Sequence, residues 1–251
     1  MGYDTYVVKE VMVGAAKEVF LEIPLKENVW ELSTVVVTPE VNKSQPLNKM
    51  AAASARMFSV EEANRYAGGL DDPARLASSF AGVAGSIASS GITIRGNSPQ
   101  FMQWKLEGVE IPNPTHFPDM TGVGGGIITA LSSQVMGNSD FLTGAFPAEY
   151  GNALSGVFDV KLRNGNNETH ENTFQLGTLG IDFASEGPFK KGKQSSYLFH
   201  YRFATMGLID MIVPGGMGQG AGLRYQDLSF KLHFPTLKAG TFSVWGIGTL
   251  D

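Results

Sequence analysis

Cysteine is absent from the 251-residue chain. That absence excludes a disulfide framework, a thiolate metal site and a cysteine nucleophile. Charge is also scarce, because Asp, Glu, Lys and Arg make up 17% of the residues, against about a quarter in ordinary globular domains. The net charge is −5 and no basic block occurs, so the chain carries no electrostatic footprint for binding nucleic acid.

Long apolar segments are missing as well. No run approaches the roughly 18 apolar residues of a transmembrane helix, and the N-terminus MGYDTYVVKEVMVG lacks the basic and apolar regions of a signal peptide. What the chain has in quantity is glycine, at 31 residues, and aromatic residues, at 10%. This composition indicates a β-rich chain whose strands are short and separated by turns.

The glycine-rich loops and the histidines give no catalytic or metal-binding pattern. GVGGGI from Gly122 and GGMGQG from Gly215 lack the βαβ context and the downstream acid of a dinucleotide site. The sequence ETHE from Glu168 has no second ligand pair at a metal-site spacing, and no G-x-S-x-G elbow is present. We therefore expect no enzymatic activity, no cofactor and no metal.

The first two thirds of the chain alternate between strand and turn signals. Alternation around Gly14 predicts two strands within residues 5–25. SARMFS predicts a strand, followed by one short helix capped by Ser59 and a second capped by Asp71 or Asp72 just before Pro73. Further strands are predicted at residues 91–95, 103–111, 140–143 and 157–162, with a helical or irregular piece at 127–134.

The segment STVVVTP has two interpretations. Its β-branched residues lie in a polar, proline-containing stretch, where unused backbone donors and acceptors can add as a strand to the sheet edge of another protein. An ordinary strand that pairs within this chain is the other interpretation. The residues concerned are Thr34, Val35, Val36, Val37 and Thr38.

After Gly165 the alternation becomes strongly aromatic. SYLFHYRF places Tyr197, Phe199, Tyr201 and Phe203 on one face of a strand, and LSFKLHF repeats the pattern. An apolar face opposite a polar face matches the wall of an outer-membrane barrel. An antiparallel sheet with one wet face explains the same period.

Four long segments, in order, carry a resemblance to a known family. They are STVVVTP, SARMFSVEEANRYAGGLDDPARLASSFAGV, GITIRGNSPQFMQWKLEGVEIPNP and NSDFLTGAFPAEYGNALSGVFDVKLRNGN. With LGTLGIDFASEGPFKKGKQSSYLFHYRF they cover most of residues 31–205. The chain resembles the N-terminal part of a TonB-dependent outer-membrane receptor of the Bacteroidetes type.

The resemblance implies a fold and a domain order. The fold class is an α+β plug domain, a small mixed sheet with short helices, followed by antiparallel β-strands of a truncated outer-membrane β-barrel. Residues 1–30 match the tail of a carboxypeptidase-regulatory-like β-sandwich, and residues 31–48 match the TonB box with its linker. Residues 49–165 match the plug domain, and residues 166–251 match the first barrel strands.

The resemblance also implies partners and site residues. The C-terminal domain of TonB would pair with Thr34–Thr38 by strand addition, and the plug would meet the polar barrel wall through hydrated ion pairs, each worth roughly 0–1 kcal/mol. A small ligand would bind on the outer side, facing Phe101, Trp104, His116 and Phe117, and packing within the domain is the alternative role of these four residues. The expected polar and wall contacts of the plug are Arg95, Lys105, Glu107, Glu110, Glu149 and Arg163.

The implied function is energy-coupled uptake of a siderophore, vitamin, glycan or peptide at the cell outer membrane. Because about four strands after Gly165 cannot close a 22-stranded barrel, we expect the chain to be an excised fragment. A soluble periplasmic or surface binding module with a plug-like fold is the alternative. Nothing in the motifs favours a hydrolase.

Overall fold

The structure, a computed structural model, describes residues 2–3, 5–8, 11, 18–28, 45–51, 53–58, 72–86, 89–118, 125–177, 180–204, 224–236 and 238–251. Two larger parts stand out within these ranges. We call residues 45–163, with strands β3–β11 and helix α1, the mixed unit, and we call strands β12–β16 the aromatic sheet. No helix in the described ranges is long and apolar enough to cross a membrane.

The predicted α+β fold class is wrong, because the described residues are mostly strand. The α-helix found among them is α1, Pro73–Ala77. Asp72 caps it as predicted, accepting a hydrogen bond from the Ala74 N–H at 2.9 Å. The helix ends after five residues because the chain turns there, the Phe80 N–H donating to the Ala77 carbonyl at 3.0 Å. The first predicted helix, from Ser59, lies outside the described residues.

The mixed unit is built on a five-stranded sheet in the order β3-β10-β11-β6-β7. Strands β6 and β11 are parallel, and the other neighbours are antiparallel. The strands predicted at 54–59, 140–143 and 157–162 are confirmed here, whereas the stretch predicted as one strand at 103–111 forms two, because the chain reverses at Glu107 and Gly108. Their bounds are β3 Ala55–Phe58, β6 Met102–Leu106, β7 Val109–Ile111, β10 Ser139–Leu142 and β11 Gly156–Val160.

Two small antiparallel pairs complete the mixed unit. Val83–Ser86 (β4) pairs with Ser89–Ile94 (β5), which confirms the strand predicted at 91–95. Thr115–His116 (β8) pairs with Ile128–Thr129 (β9), so the piece predicted as helical or irregular contributes two strand residues and then turns. Short 3-10 turns cover Pro99–Phe101 and Ala148–Tyr150.

One face of the five-stranded sheet carries the apolar core. The Phe158 ring is fully buried and lies parallel to the Trp104 ring, with 4.8 Å between centroids and an interplanar angle of 2°. Phe58 and Phe141 contact the same ring from β3 and β10, at 5.3 and 4.9 Å. Because register partners point to the same face of a sheet, this core lies opposite the polar side chains described below.

The aromatic sheet consists of five consecutive antiparallel strands. This is one strand more than the roughly four predicted after Gly165, because NTFQLGTLGIDFASEG forms two strands. The bounds are β12 Glu171–Gly177, β13 Gly180–Pro188, β14 Ser196–Phe203, β15 Gln226–Thr236 and β16 Gly240–Leu250.

The first part of the chain contributes little regular structure. Gly2–Tyr3 (β1) pairs antiparallel with Glu27–Asn28 (β2). Residues 5–8 and 18–26 carry no strand, so the pair of strands predicted within residues 5–25 is not formed there. Val19, Leu21 and Ile23 remain exposed, since two isolated strands have too few partners to be stable. The turn predicted at Gly14 lies outside the described residues.

Candidate functional site: a buried polar interface

The aromatic sheet exposes its apolar face and buries its polar face, which is the reverse of a sheet in a water-soluble protein. Its aromatic face is exposed, with Phe174 at 69% and Phe242 at 57%, whereas His200 and Arg202 are each 1% exposed. The alternation predicted for SYLFHYRF is therefore confirmed, and the face with the charged residues is the buried one. Burying ionised groups costs free energy unless each has a partner, so the partners define the site.

The most buried cation on this face is Arg202 of β14. Its Nε donates to Asp227 Oδ2 at 2.8 Å and its Nη2 donates to the same oxygen at 2.6 Å. Its Nη2 also donates to the Thr129 carbonyl of the mixed unit. His116 of the mixed unit reaches the other oxygen, with Nε2 at 2.5 Å from Asp227 Oδ1. One carboxylate thus joins β14, β15 and β8.

A second contact joins the tip of a hairpin to β15. Glu107 and Gly108 both have positive φ, +52° and +85°, as the central residues of a type I′ hairpin turn require. The turn brings Glu107 Oε1 within 3.0 Å of Lys231 Nζ. The same oxygen accepts from the Leu162 N–H at 2.6 Å, and Lys231 donates to the Leu162 carbonyl at 2.8 Å.

A third contact joins the end of the mixed unit to β13. The Arg163 guanidinium makes two parallel hydrogen bonds to the Glu186 carboxylate, at 2.6 and 2.8 Å, the geometry in which arginine recognises a carboxylate best. Glu186 also accepts from the Asn166 N–H at 3.0 Å. At Gly165, an added Cβ would lie 1.9 Å from the Tyr197 carbonyl oxygen, so only glycine lets the chain pass this close to β14.

Two of these three contacts are less hydrated than the sequence predicts. The Arg202 and Asp227 side chains are 2% and 0% exposed, and those of Lys231 and Glu107 are 8% and 16% exposed. The expectation of hydrated wall pairs, each worth roughly 0–1 kcal/mol, is therefore wrong for these two pairs, whereas Arg163 is 30% exposed in its pair with Glu186. Breaking a buried pair by removing one partner costs about 3–5 kcal/mol, because the other charge is left uncompensated.

Of the six residues predicted as polar and wall contacts, Glu107 and Arg163 contact the aromatic sheet. The other four have contacts within the mixed unit. Lys105 Nζ donates to the Glu149 carbonyl at 2.9 Å, and Glu110 accepts from Gln103 and Asn152 at 2.9 and 3.1 Å. Glu149 accepts from the Asn48 side chain, and the Arg95 guanidinium lies beside Gly144.

The polar face of the five-stranded sheet holds the end of the predicted linker, residues 47–48. Asp140 of β10 accepts two backbone hydrogen bonds, from the Leu47 and Asn48 N–H groups, both at 2.7 Å. Asn48 Nδ2 also donates to the Tyr150 hydroxyl at 3.1 Å. The Tyr150 hydroxyl in turn donates to Asp159 at 2.9 Å. Residues 47–48 are thus tied to β10 and β11 by one connected network.

This network contains two carboxylates directly opposite each other. Asp140 and Asp159 are register partners on β10 and β11. Burial raises the pKa of Asp140, the bonds from Leu47 and Asn48 oppose that rise, and the Asp159 charge adds to it. Burial also raises the pKa of Tyr150, with the neighbouring Asp159 adding to that rise.

The four residues predicted to face a ligand do not form one surface. Trp104 is buried in the stack with Phe158, and His116 is buried against Asp227. Phe117 is half-buried in a small cluster with Ile128, Ala204 and Tyr225. Phe101 is the exposed member of the four. Trp104 and His116 therefore pack and pair inside the protein and are not available to a ligand at its surface.

A cavity of about 760 Å³ lies where residues 18–22 approach the end of the mixed unit and the aromatic sheet. None of the four predicted ligand-facing residues lines it. Its polar lining includes Gln134, Arg163, Asn166 and Glu186, so it borders the third contact. Among the described residues, no group of three or more His, Asp or Glu side chains is arranged to hold a metal ion.

The comparison with known proteins found a similarity in structure. No family model and no curated protein matches the chain. Among solved structures, the chain is similar to the outer membrane transporter YddB from Escherichia coli, with 14% sequence identity and a TM-score of 0.47. The similarity covers 76% of this chain and 32% of that transporter, so the chain spans about a third of its length.

Sequence reasoning missed the partners on the aromatic sheet. Asp182, Glu186, Asp227 and Lys231 lie on the polar face opposite the aromatic residues, and the period of two predicts that face. The period gives no indication that the face is buried. The sequence also indicated that Asp140 needs hydrogen-bond donors, because it is a carboxylate within a predicted strand. Its donors could not be predicted, because they lie 92 and 93 residues away in sequence.

Replacing Arg202 by leucine should lower the free energy of unfolding by about 3–5 kcal/mol, because Asp227 would stay buried without its cation. The double variant R202L/D227L should be more stable than R202L alone. The matched control is K161M, since Lys161 is 41% exposed in its pair with Asp159 and should cost only about 0–1 kcal/mol. Denaturant titration measures all three, and equal losses for R202L and K161M would contradict a buried interface.

Replacing Asp159 by asparagine should lower the pKa of Asp140, because it removes a like charge from the opposite residue. A raised folded-state pKa means that stability is fully present below the unfolded value of 3.8 and is lost as the pH rises through the folded value. Between the unfolded and the folded pKa of Asp140, the free energy of unfolding should therefore fall less with rising pH in D159N than in the unchanged chain. Carboxyl NMR titration measures the shift. Asp72 is the internal control, since burial raises its pKa beside Ser90 and Arg75, and an unchanged Asp140 would contradict the coupling.

Proposed function

We propose that the chain is the N-terminal part of a TonB-dependent outer-membrane transporter. In this proposal the mixed unit plugs a β-barrel, and the aromatic sheet is part of the wall of that barrel. The observation that carries it is the orientation of the aromatic sheet, which buries charged side chains against the mixed unit and exposes aromatic rings. This orientation supports a location in the outer membrane, and the role in transport is proposed from the resemblance of the sequence to the receptor family.

A lipid environment explains this orientation. Strands of an outer-membrane barrel alternate between an apolar outer face and a polar inner face. A sheet in water, when only one face is covered, covers its apolar face. The alternative of a soluble periplasmic or surface binding module would leave Phe174, Leu176, Phe183, Phe199, Phe203, Phe242 and Val244, all exposed, in contact with water.

The contacts between the mixed unit and the aromatic sheet suit a plug. The mixed unit contacts the sheet through polar atoms of Thr129, His116, Glu107 and Arg163, and its apolar core packs against Leu198, Trp245 and Ile247 of the sheet. Polar groups that separate can bind water instead, whereas an apolar interface has no such replacement. The polar part of this interface can therefore open and re-form when water enters between the plug and the wall.

The point at which force would enter the plug follows from the connected network at Asp140. The TonB box, Thr34–Thr38, and the rest of residues 31–44 lie outside the described residues, so the role of the box is proposed from the sequence alone. A pull on that segment would act next on Leu47 and Asn48, which Asp140 holds. Behind them comes β3, at one edge of the five-stranded sheet. An edge strand can separate without breaking the pairs among the other strands.

The mechanism proposed is gated uptake. A ligand binds on the outer side, TonB adds a strand to Thr34–Thr38, and the proton-motive force of the inner membrane reaches the plug as a pull. Among the described residues, no group selects among a siderophore, a vitamin, a glycan and a peptide, so the proposal names no substrate class. The proposal assigns no enzymatic activity and no cofactor to the chain.

Replacing Val36 by proline should abolish binding to the C-terminal domain of TonB, because proline removes a backbone donor from the added strand. V36A is the matched control, since it keeps the donor, and we expect its dissociation constant to stay within about threefold of the unchanged chain. A loss of at least about tenfold for V36P corresponds to about 1.4 kcal/mol. Calorimetric titration of the 251-residue chain measures both, and equal affinities for V36P and V36A would contradict the assignment of the TonB box.

A further inference from the structure

The exposed face of the aromatic sheet contains a groove of about 750 Å³. Its floor includes the small residue Ser185 of β13, whose register partner on β14 is Phe199. Beside it the His170 imidazole covers Gly187, where an added Cβ would lie 2.1 Å from His170 Nδ1. A small residue below and rings on both sides give a slot rather than a flat surface.

The rings along the groove form a connected cluster near one end of the sheet. Phe189 lies 5.7 Å from Tyr197 and 5.1 Å from Phe234, measured between ring centroids. Polar atoms occur within the same cluster. The Tyr197 hydroxyl is 3.2 Å from His170 Nδ1 and 3.4 Å from Ser185 Oγ. Aromatic rings that combine an apolar body with a polar tip are typical of the boundary between membrane and water.

Positive charge is concentrated beside this end of the groove. Phe189, which lines the groove, begins the turn between β13 and β14, and that turn also carries Lys190, Lys191 and Lys193. All three lysines are exposed, and none has an ion pair among the described residues. An apolar slot that ends at three unpaired ammonium groups is complementary to a molecule with an apolar chain and an anionic head.

We propose that this groove binds one anionic glycerophospholipid of the surrounding membrane, with an acyl chain over Ser185 and the phosphate at the three lysines. The inference rests on the proposed function, which places the aromatic face in lipid. The connections at this end are residues 189–195 and 237–239, and those at the other end are residues 178–179 and 204–225, so the long connection lies at the other end. Long loops mark the extracellular side of such barrels and short turns the periplasmic side, so the lipid belongs to the inner leaflet.

The contribution of the lysines sets the size of the expected effect. A lysine near an anionic membrane surface strengthens binding by about fivefold. Even when salt screens part of this attraction, three lysines should give at least about a tenfold preference for an anionic head group. The apolar slot should bind acyl chains of either head-group type, so filling it should weaken both equally.

The test uses the 251-residue chain in detergent micelles, with phosphatidylglycerol and phosphatidylcholine of identical acyl chains as probes. Native mass spectrometry measures the affinity for each lipid. The unchanged chain should bind one phosphatidylglycerol at least about tenfold more tightly than phosphatidylcholine. The variant K190Q/K191Q/K193Q should lose that preference. The control K26Q/K49Q/K161Q changes three other lysines, none of them in a turn of the aromatic sheet, by the same total charge and should keep it.

A second pair of variants tests the groove itself. S185L places a leucine in the floor and should weaken binding of both lipids by at least about fivefold, because it occupies the volume of an acyl chain. G248L is its control, since no atom lies within 4 Å of an added Cβ at Gly248, and it should bind lipid normally. Equal effects of the two lysine triples, or equal effects of S185L and G248L, would overturn the proposed site.

Flotation with vesicles of pure phosphatidylcholine separates this inference from the proposed function. A chain that binds neutral vesicles but shows no preference for phosphatidylglycerol in micelles overturns the lipid site alone. A chain that fails to bind neutral vesicles contradicts the exposure of the aromatic face to lipid, and with it the proposed function. Binding to neutral vesicles together with the preference in micelles supports both.

Discussion

The cost of burying charge on the aromatic sheet is the constraint on which the rest of the structure depends. A strand such as β14 places its aromatic residues outside and buries His200 and Arg202. Those groups would destabilise the fold unless partners were present at hydrogen-bonding distance. Asp182 and Asp227 pair with them within the sheet, and the mixed unit supplies His116 and the Thr129 carbonyl. The mixed unit thus supplies hydrogen-bonding partners for buried polar groups of the aromatic sheet.

The same constraint explains the shape of the mixed unit. The hairpin turn at Glu107 and the bidentate contact of Arg163 lie at its periphery, each reaching a different strand of the aromatic sheet. Its apolar core, centred on Phe158, also packs against Leu198, Trp245 and Ile247 of the aromatic sheet. The mixed unit is therefore held both by peripheral ion pairs and by an apolar contact. We regard the ion pairs, whose groups can bind water when they separate, as the part of the interface on which the proposed gating depends.

Local patterns in the sequence predicted a large part of this arrangement. The strands at 54–59, 91–95, 140–143 and 157–162 followed from short β-branched and aromatic runs, and Asp72 with Pro73 correctly marked the start of a helix. The α+β fold class failed because good capping residues indicate where a helix begins and not how far it extends. The period of two correctly sorted the residues of β14 into two faces, yet period alone does not tell which face meets water.

The contacts of the site were harder to predict because they join distant parts of the chain. Glu107 and Lys231 are 124 residues apart, and His116 and Asp227 are 111 residues apart. No local rule pairs such residues. His116 and Trp104 were predicted to face a ligand, because the sequence around them does not distinguish an exposed side chain from a buried one. Their burial follows from packing against Asp227 and Phe158, which only the assembled structure provides.

The central claim is that the aromatic face contacts lipid. Because the chain has no cysteine, single cysteines at Phe174, Phe199 and Phe242 can each carry one nitroxide label in phosphatidylcholine vesicles, with a label at the exposed Leu154 of the mixed unit as the control. Collision rates with oxygen and with a water-soluble nickel complex then distinguish hydrocarbon from water. The account predicts that the three aromatic-face labels collide mainly with oxygen and the Leu154 label with nickel. Collision of all four labels mainly with nickel would contradict it.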